Sequence, residues 1–142
     1  MALHLLKLCV GAASIDDMED WVRRRADANI GAGLGPVTQH TTRMFPKRRD
    51  ELLAGGSLYW VIKGFVLVRQ RIVGLAPVTG PDGVTRCQIV LDRTLHPTQA
   101  QPRRAFQGWR YLAAEDAPAD LDRKGATTPP ELRAKLAELG LL

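Results

Sequence analysis

The side chains in this sequence that can do chemistry are mainly cations, and they alternate with aromatic residues. Between Arg43 and Arg110 the chain holds 12 basic residues against four acidic ones. Most are Arg, whose planar guanidinium pairs with phosphate or carboxylate through two hydrogen bonds. Nucleic-acid sites combine such cations with rings on which exposed bases stack. The predicted phosphate-binding residues are Arg43, Lys47, Arg48, Lys63, Arg69, Arg71, Arg103, Arg104 and Arg110, and the predicted stacking residues are Trp60 and Trp109.

Two ordinary explanations compete with a binding site. The cations can belong to a solvated surface, and either Trp can be a core residue. Trp60 follows Tyr59 directly, and successive residues of a strand point to opposite faces, so at most one of these rings faces a site. We predict that the cations at the two ends of the stretch 43–71 converge on one surface. Arg103 and Arg104 are expected to join them there.

Other kinds of site find little support in the sequence. Cys9 and Cys87 form no CxxC pair, and the three His residues lie too far apart for a metal motif, so no metal and no cofactor are expected. There is no GxSxG motif for a nucleophilic serine. Two lone cysteines suit a reducing, cytoplasmic compartment. No apolar run is long enough for a membrane-spanning helix.

The leading hypothesis is therefore a module that binds RNA or a nucleotide. The first alternative is a small-molecule enzyme with an Arg-lined anion pocket, for which His40 and Glu51 are the nearest titratable candidates. The second alternative is a structural or partner-binding protein whose arginines only face solvent.

The length of 142 residues indicates one domain of the α+β class. Apolar periodicity predicts strands near 2–10, 57–63, 65–73, 84–91 and 106–112, and an extended segment at 37–45. In the strand 65–73, strict alternation places Arg69 and Arg71 on one face, and Val66 with Val68 on the other. Residues 96–102 are predicted to form a polar loop between prolines, and residues 113–128 a surface connection. Helices are predicted at 14–29, 46–54 and 129–140.

The short helix at 46–54 has an unusual start. Pro46 suits the first helical position and Gly55 with Gly56 ends the helix. Three cations follow Pro46, although cations at a helix N-terminus oppose the helix dipole. This arrangement is consistent with an anion site at the helix start, and three solvated side chains are the alternative.

Two resemblances add to this picture. The pattern TRMFPKRRDELLAGGSLYWVIKGFVLVRQRI, followed by GVTRCQIVLD and PRRAFQGWRYL, resembles an uncharacterised bacterial family of about this length. That resemblance implies no catalytic residues. More loosely, the order of a short helix, Gly-Gly and paired strands resembles PUA-like domains of the ASCH and EVE groups. This second resemblance implies a small, mostly antiparallel β-barrel of five or six strands that binds RNA or modified bases beside the barrel.

Overall fold

The structure, a computed structural model, describes residues 3–121. These residues form two α-helices, seven β-strands and a short 3₁₀ turn at Ala114–Asp116. The helices are α1 (Ile15–Gly31) and α2 (Arg49–Leu53), and the strands are β1 (Leu3–Leu8), β2 (Val37–Thr42), β3 (Ser57–Ile62), β4 (Phe65–Thr79), β5 (Thr85–Asp92), β6 (His96–Pro102) and β7 (Trp109–Ala113). The predicted helix at 129–140 lies outside the described residues, as does the end of the predicted connection at 113–128.

All seven strands belong to one sheet in the order β2-β5-β4-β3-β1-β7, with β6 pairing the first half of β4. The pairs are antiparallel except for β1 and β3, which are parallel. The α+β class is confirmed. The expected barrel is not, because β2 and β7 remain at the two ends of the strand order and the sheet is not closed. The strand count also exceeds the expected five or six.

The additional strand is β6, which was expected to be a loop. Its prolines, Pro97 and Pro102, lie near its two ends and pair opposite Val68 and Phe65 of β4. Proline cannot donate to a sheet ladder, so it occurs on edge strands. β6 has β4 on one side and, within residues 3–121, only an isolated bridge to Asp120 on the other. The proline pattern therefore marks an edge strand here.

Helix α1 begins where its sequence predicts. The Ser14 side chain accepts a hydrogen bond from the Asp17 backbone N–H at 3.2 Å, which satisfies one of the free donors of the first turn. Met18, Val22 and Ala26 form the buried stripe of this helix. Among the described residues, no helix is both long and apolar enough to cross a membrane.

β3 is the centre of the fold because both of its faces are buried. Leu58, Trp60 and Ile62 enter the main core, where the apolar stripe of α1 and the β4–β5 hairpin pack. Tyr59 and Val61 enter a smaller cluster on the opposite face. A strand covered on both faces reads as a continuous apolar run, as SLYWVI does.

The faces of β4 depart from strict alternation. Val66 pairs with Val61 and Val68 pairs with Trp60, so Leu67 is an extra residue in the ladder, a β-bulge. Val66 consequently belongs to the small cluster, while Leu67 and Val68 both belong to the main core. The prediction that Val66 and Val68 share a face is therefore wrong.

Candidate functional site

The two ends of the sheet approach each other and leave a cleft between β2 and β7. Thr42 is the last residue of β2, and it lies with Arg43 and Met44 opposite the segment that leads into β7. The Trp109 Nε1–H donates to the Met44 carbonyl at 2.9 Å, and the Arg48 backbone N–H donates to the Tyr111 hydroxyl at 3.2 Å. We call this space of about 450 Å³ the edge cleft; its lining residues are Thr42, Arg43, Met44, Gln107, Gly108, Trp109, Arg110 and Tyr111.

Cations and rings meet at the edge cleft. The rings of Trp109 and Tyr111 pack edge to face with their centroids 4.8 Å apart. The Arg48 guanidinium carbon lies 5.7 Å from the Tyr111 centroid, and that of Arg110 lies 5.5 Å from the Phe106 centroid. Both distances are within the range of a cation–π contact. The cleft thus joins positive charge to aromatic surface, as nucleotide sites do.

Thr42 lines the edge cleft and carries an unusual buried hydroxyl group. Thr42 is 6% exposed, and its Oγ1 is buried without a hydrogen-bond partner among the residues that the structure describes. Buried hydroxyl groups almost always have a partner.

The predicted cations do not all line this cleft. Lys63 and Arg103 lie together at the turn between β3 and β4, where the Arg103 N–H donates to the Gly64 carbonyl at 2.8 Å. Arg69 and Arg71 lie on the outer face of β4, opposite Tyr59 and Ser57 of β3. Lys47 and Arg104 are exposed.

The structure brings together Arg43, Arg110 and Trp109, with Arg48 at the rim, and distributes the other predicted residues over the surface. Trp60 is only 4% exposed, and its Nε1–H donates to the buried Gln70 side chain at 2.9 Å. This burial removes Trp60 from the candidate stacking residues. Tyr111, Thr42 and Gln107 were not among the predicted site residues, and the pairing of β7 with β1 is what places Tyr111 beside the Arg48 backbone.

The start of α2 differs from the regular helix start that its sequence suggested, and the predicted anion site there stays a prediction. The helix has only five residues, and two of the three cations at its start, Arg48 and Arg49, have partners among the described residues. Arg48 forms an ion pair with Glu51, and the Arg49 Nε–H donates to the Leu75 carbonyl at 3.2 Å. Arg48 therefore contributes to the edge cleft through its contact with Tyr111 and not through the helix dipole.

A separate, apolar cavity of about 190 Å³ lies beside α1. Its walls include Cys9, Trp21, His40 and Trp60. Burial raises the pKa of the Cys9 thiol, so this cysteine is not activated as a nucleophile. Within residues 3–121, no three His, Cys, Asp or Glu side chains lie together in a way that could hold a metal ion.

His40 in this cavity predicts how stability depends on pH. Burial, with a smaller contribution from the Lys7 ammonium, lowers the His40 pKa to about 4, from 6.5 in the unfolded chain. The unfolded state therefore binds a proton first, and the stabilisation present above pH 6.5 is lost as pH falls towards 4. We expect a loss of about 1–3 kcal/mol, after discounting for partial solvent access.

The measurement is urea unfolding of wild type and His40→Gln between neutral pH and the pKa of about 4. The variant should lose less stability than wild type over this interval. Burial also lowers the His4 pKa, which leaves a smaller dependence of the same sign in the variant. Parallel stability curves for the two proteins would contradict the role of His40.

Comparison with known proteins gives a family without an assigned activity. A protein-family model described as a protein of unknown function matches residues 5–142, which is nearly the whole chain. No curated protein and no solved structure matches. The resemblance to an uncharacterised family of about this length is confirmed. The looser resemblance to PUA-like domains stays a prediction.

Proposed function

Because the chain belongs to the family DUF1489, whose description assigns no activity, we propose a function from the geometry alone: binding of RNA or a nucleotide at the edge cleft. The observation that carries this proposal is the meeting of Arg43 and Arg110 with Trp109 and Tyr111 around one space of about 450 Å³. Ligand pockets typically measure about 300–1,000 Å³, so the cleft has room for one nucleotide.

The lining residues suit the two halves of a nucleotide. The Arg side chains can pair with phosphate oxygens, and Arg48 at the rim adds a third guanidinium. Tyr111 is 37% exposed and Met44 is 70% exposed, so both residues offer surface to a base. Gln107, which is exposed, adds a polar group that can contact base edges. A base stacked on these rings with its phosphate near Arg43 would use the cleft fully.

Neither predicted residue of the alternative enzyme lies in this cleft. His40 belongs to the apolar cavity, and Glu51 is paired with Arg48. Within residues 3–121, the edge cleft is therefore lined by no Asp, Glu or His side chain that could act as a general acid or base. This arrangement favours binding over catalysis.

The test is fluorescence anisotropy with a labelled single-stranded RNA of about 12 nucleotides, a length that covers a typical single-strand site. The logarithm of the affinity should fall with the logarithm of salt concentration by about 0.7 for each phosphate contact. Replacing Arg43 and Arg110 together by Gln should lower this slope by about 1.4 and the affinity by about tenfold. Trp109→Ala should weaken binding by a similar factor through lost stacking.

The matched control removes the same charge elsewhere. Lys63→Gln combined with Arg104→Gln also reduces the net charge by two, but both residues lie outside the edge cleft. This variant should keep most of the affinity. Equal losses in the two double variants would show that binding follows net charge alone, and no binding by wild type at low salt would overturn the proposal. Circular dichroism of each variant verifies that it is folded.

A further inference from the structure

A second cleft, of about 330 Å³, contains a cluster of polar side chains on the outer face of β3 and β4. Its chemistry-bearing residues are His4 of β1, Tyr59 of β3, Arg69 of β4 and Asp120, which follows the 3₁₀ turn. We call it the Arg69 cleft. Among them only Arg69 belongs to the predicted set, and its predicted role was a contact to nucleic-acid phosphate.

Arg69 is already bound as it would be by an external oxyanion. Its Nε–H and Nη2–H donate to the two Asp120 carboxylate oxygens at 2.8 and 2.6 Å, which is the two-pronged geometry of an Arg–carboxylate pair. Its Nη1–H donates to Ser57 Oγ at 2.8 Å, which fixes the plane of the guanidinium. The Arg69 side chain is only 22% exposed, so this cation is held in place rather than free in solvent.

His4 contributes an N–H donor of defined tautomer. The Ser57 backbone N–H donates to His4 Nδ1 at 2.9 Å, so Nδ1 must be unprotonated and Nε2 carries the hydrogen. Burial, and next the charge of Arg69, lower the His4 pKa, which keeps the ring neutral near pH 7. His4 therefore adds a neutral donor to the lining of the cleft.

Tyr59 contributes a hydroxyl group that no described residue uses. Tyr59 is 5% exposed, and its ring packs edge to face on His4 with centroids 5.0 Å apart. The hydroxyl has no hydrogen-bond partner among residues 3–121, although the residue lines the cleft. Burial raises the Tyr59 pKa, so the hydroxyl stays protonated and can donate.

The Asp120 carboxylate can leave Arg69 without unfolding its segment. The backbone on either side is held by β6, because the Gln99 N–H donates to the Ala119 carbonyl at 2.9 Å and the Leu121 N–H donates to the Pro97 carbonyl at 3.0 Å. Rotation of the Asp120 side chain breaks neither of these bonds. The Asp120 carboxylate would thus compete with an external anion for the Arg69 guanidinium.

We propose that the Arg69 cleft binds a phosphate monoester, whose phosphoryl group replaces the Asp120 carboxylate on Arg69. The Tyr59 O–H and the His4 Nε2–H are the additional donors. A phosphoryl group has three terminal oxygens for these donors and carries nearly two negative charges at pH 7, whereas a carboxylate has two oxygens and one charge. The dianion is the better competitor against a carboxylate that is held nearby by the chain. This proposal uses none of the residues of the edge cleft and stands apart from RNA binding.

Isothermal titration calorimetry with phenyl phosphate tests the site, and benzoate serves as the carboxylate of matched shape. Asp120→Ala removes the competitor and should bind phenyl phosphate about fivefold to tenfold more tightly than wild type. In the Asp120→Ala background, Arg69→Gln should abolish binding. Tyr59→Phe in the same background should weaken binding about threefold to tenfold with unchanged stability, because that hydroxyl has no partner in the described part of the protein.

Arg71→Gln is the matched control, since Arg71 lies on the same face of β4 two residues away and is exposed. It should leave the affinity of Asp120→Ala for phenyl phosphate unchanged. The proposal is overturned if Asp120→Ala binds no better than wild type, if Tyr59→Phe has no effect, or if Arg71→Gln weakens binding as much as Arg69→Gln. Benzoate binding as tightly as phenyl phosphate would overturn the assignment to phosphate monoesters.

Discussion

Gly56→Ala is expected to destabilise the protein by about 3 kcal/mol or more. A Cβ atom at this position would overlap the carbonyl oxygens of Leu3 and Leu52, and both are backbone atoms that cannot rotate away. The Gly56 N–H donates to the Leu52 carbonyl at 2.8 Å, and its carbonyl accepts from the Ile72 N–H at 3.0 Å. Moving the residue to relieve the overlap would break the junction of α2, β1 and β4.

The adjacent glycine provides the control for this prediction. Gly55 has φ of 101°, but the space that a Cβ atom would occupy there is open, so Gly55→Ala meets only the backbone strain of the left-handed region. That strain costs about 1–2 kcal/mol. Urea unfolding of both variants measures the difference. If Gly56→Ala lowered the free energy of unfolding less than Gly55→Ala, the backbone around Gly56 would have to relax away from the new Cβ atom without cost.

Gln70→Leu is expected to lower the free energy of unfolding by about 2–4 kcal/mol, although the two side chains have similar volume. Gln70 is fully buried and is the polar link between the two halves of the sheet. Its Oε1 accepts from Trp60 Nε1–H at 2.9 Å, and its Nε2–H donates to the Asp92 carbonyl at 2.9 Å. Its Nε2 also lies 3.4 Å from Thr38 Oγ1 of β2. Leucine would leave the buried indole N–H without its acceptor and would remove a donor from the partly buried Asp92 carbonyl.

A double-mutant cycle with Trp60→Phe isolates this effect. Phenylalanine removes the indole donor, so Gln70→Leu should cost less in the Trp60→Phe background than in wild type. Gln70→Leu should also weaken RNA binding, because Gln70 helps to hold β2, whose end forms one wall of the edge cleft. Strictly additive losses in unfolding free energy would contradict the role of the Trp60–Gln70 hydrogen bond.

Local sequence patterns predicted the positions of helices and strands better than they predicted which strands pair. Ser14 and Asp17 marked the start of α1, and Gly55 with Gly56 marked the end of α2, because caps and breakers act within a few residues. The residues 96–102 were predicted to be a loop because proline disfavours most strands. Their pairing depends on β4, more than 25 residues earlier in the chain. Nothing local to the segment carries that information.

The candidate sites were likewise predictable from residue types but not from contacts between distant segments. Residue types alone selected Arg43, Arg48, Arg110 and Trp109, because guanidinium groups and rings are the means by which proteins hold phosphates and bases. They also selected Arg69, whose guanidinium pairs with the Asp120 carboxylate in the structure. Sequence spacing cannot show that Arg69 meets a carboxylate 51 positions later.

The sequence by itself determined that this is a basic α+β domain of an uncharacterised family, with cations and aromatic residues concentrated between residues 43 and 110. Only the tertiary structure decided which of these side chains share a surface. The β-bulge at Leu67 sets the faces of β4, and the pairing of β1 with β3 and β7 brings His4 near Tyr59 and places Tyr111 beside Arg48. These relations arise from strand register between distant segments, which short-range periodicity does not encode.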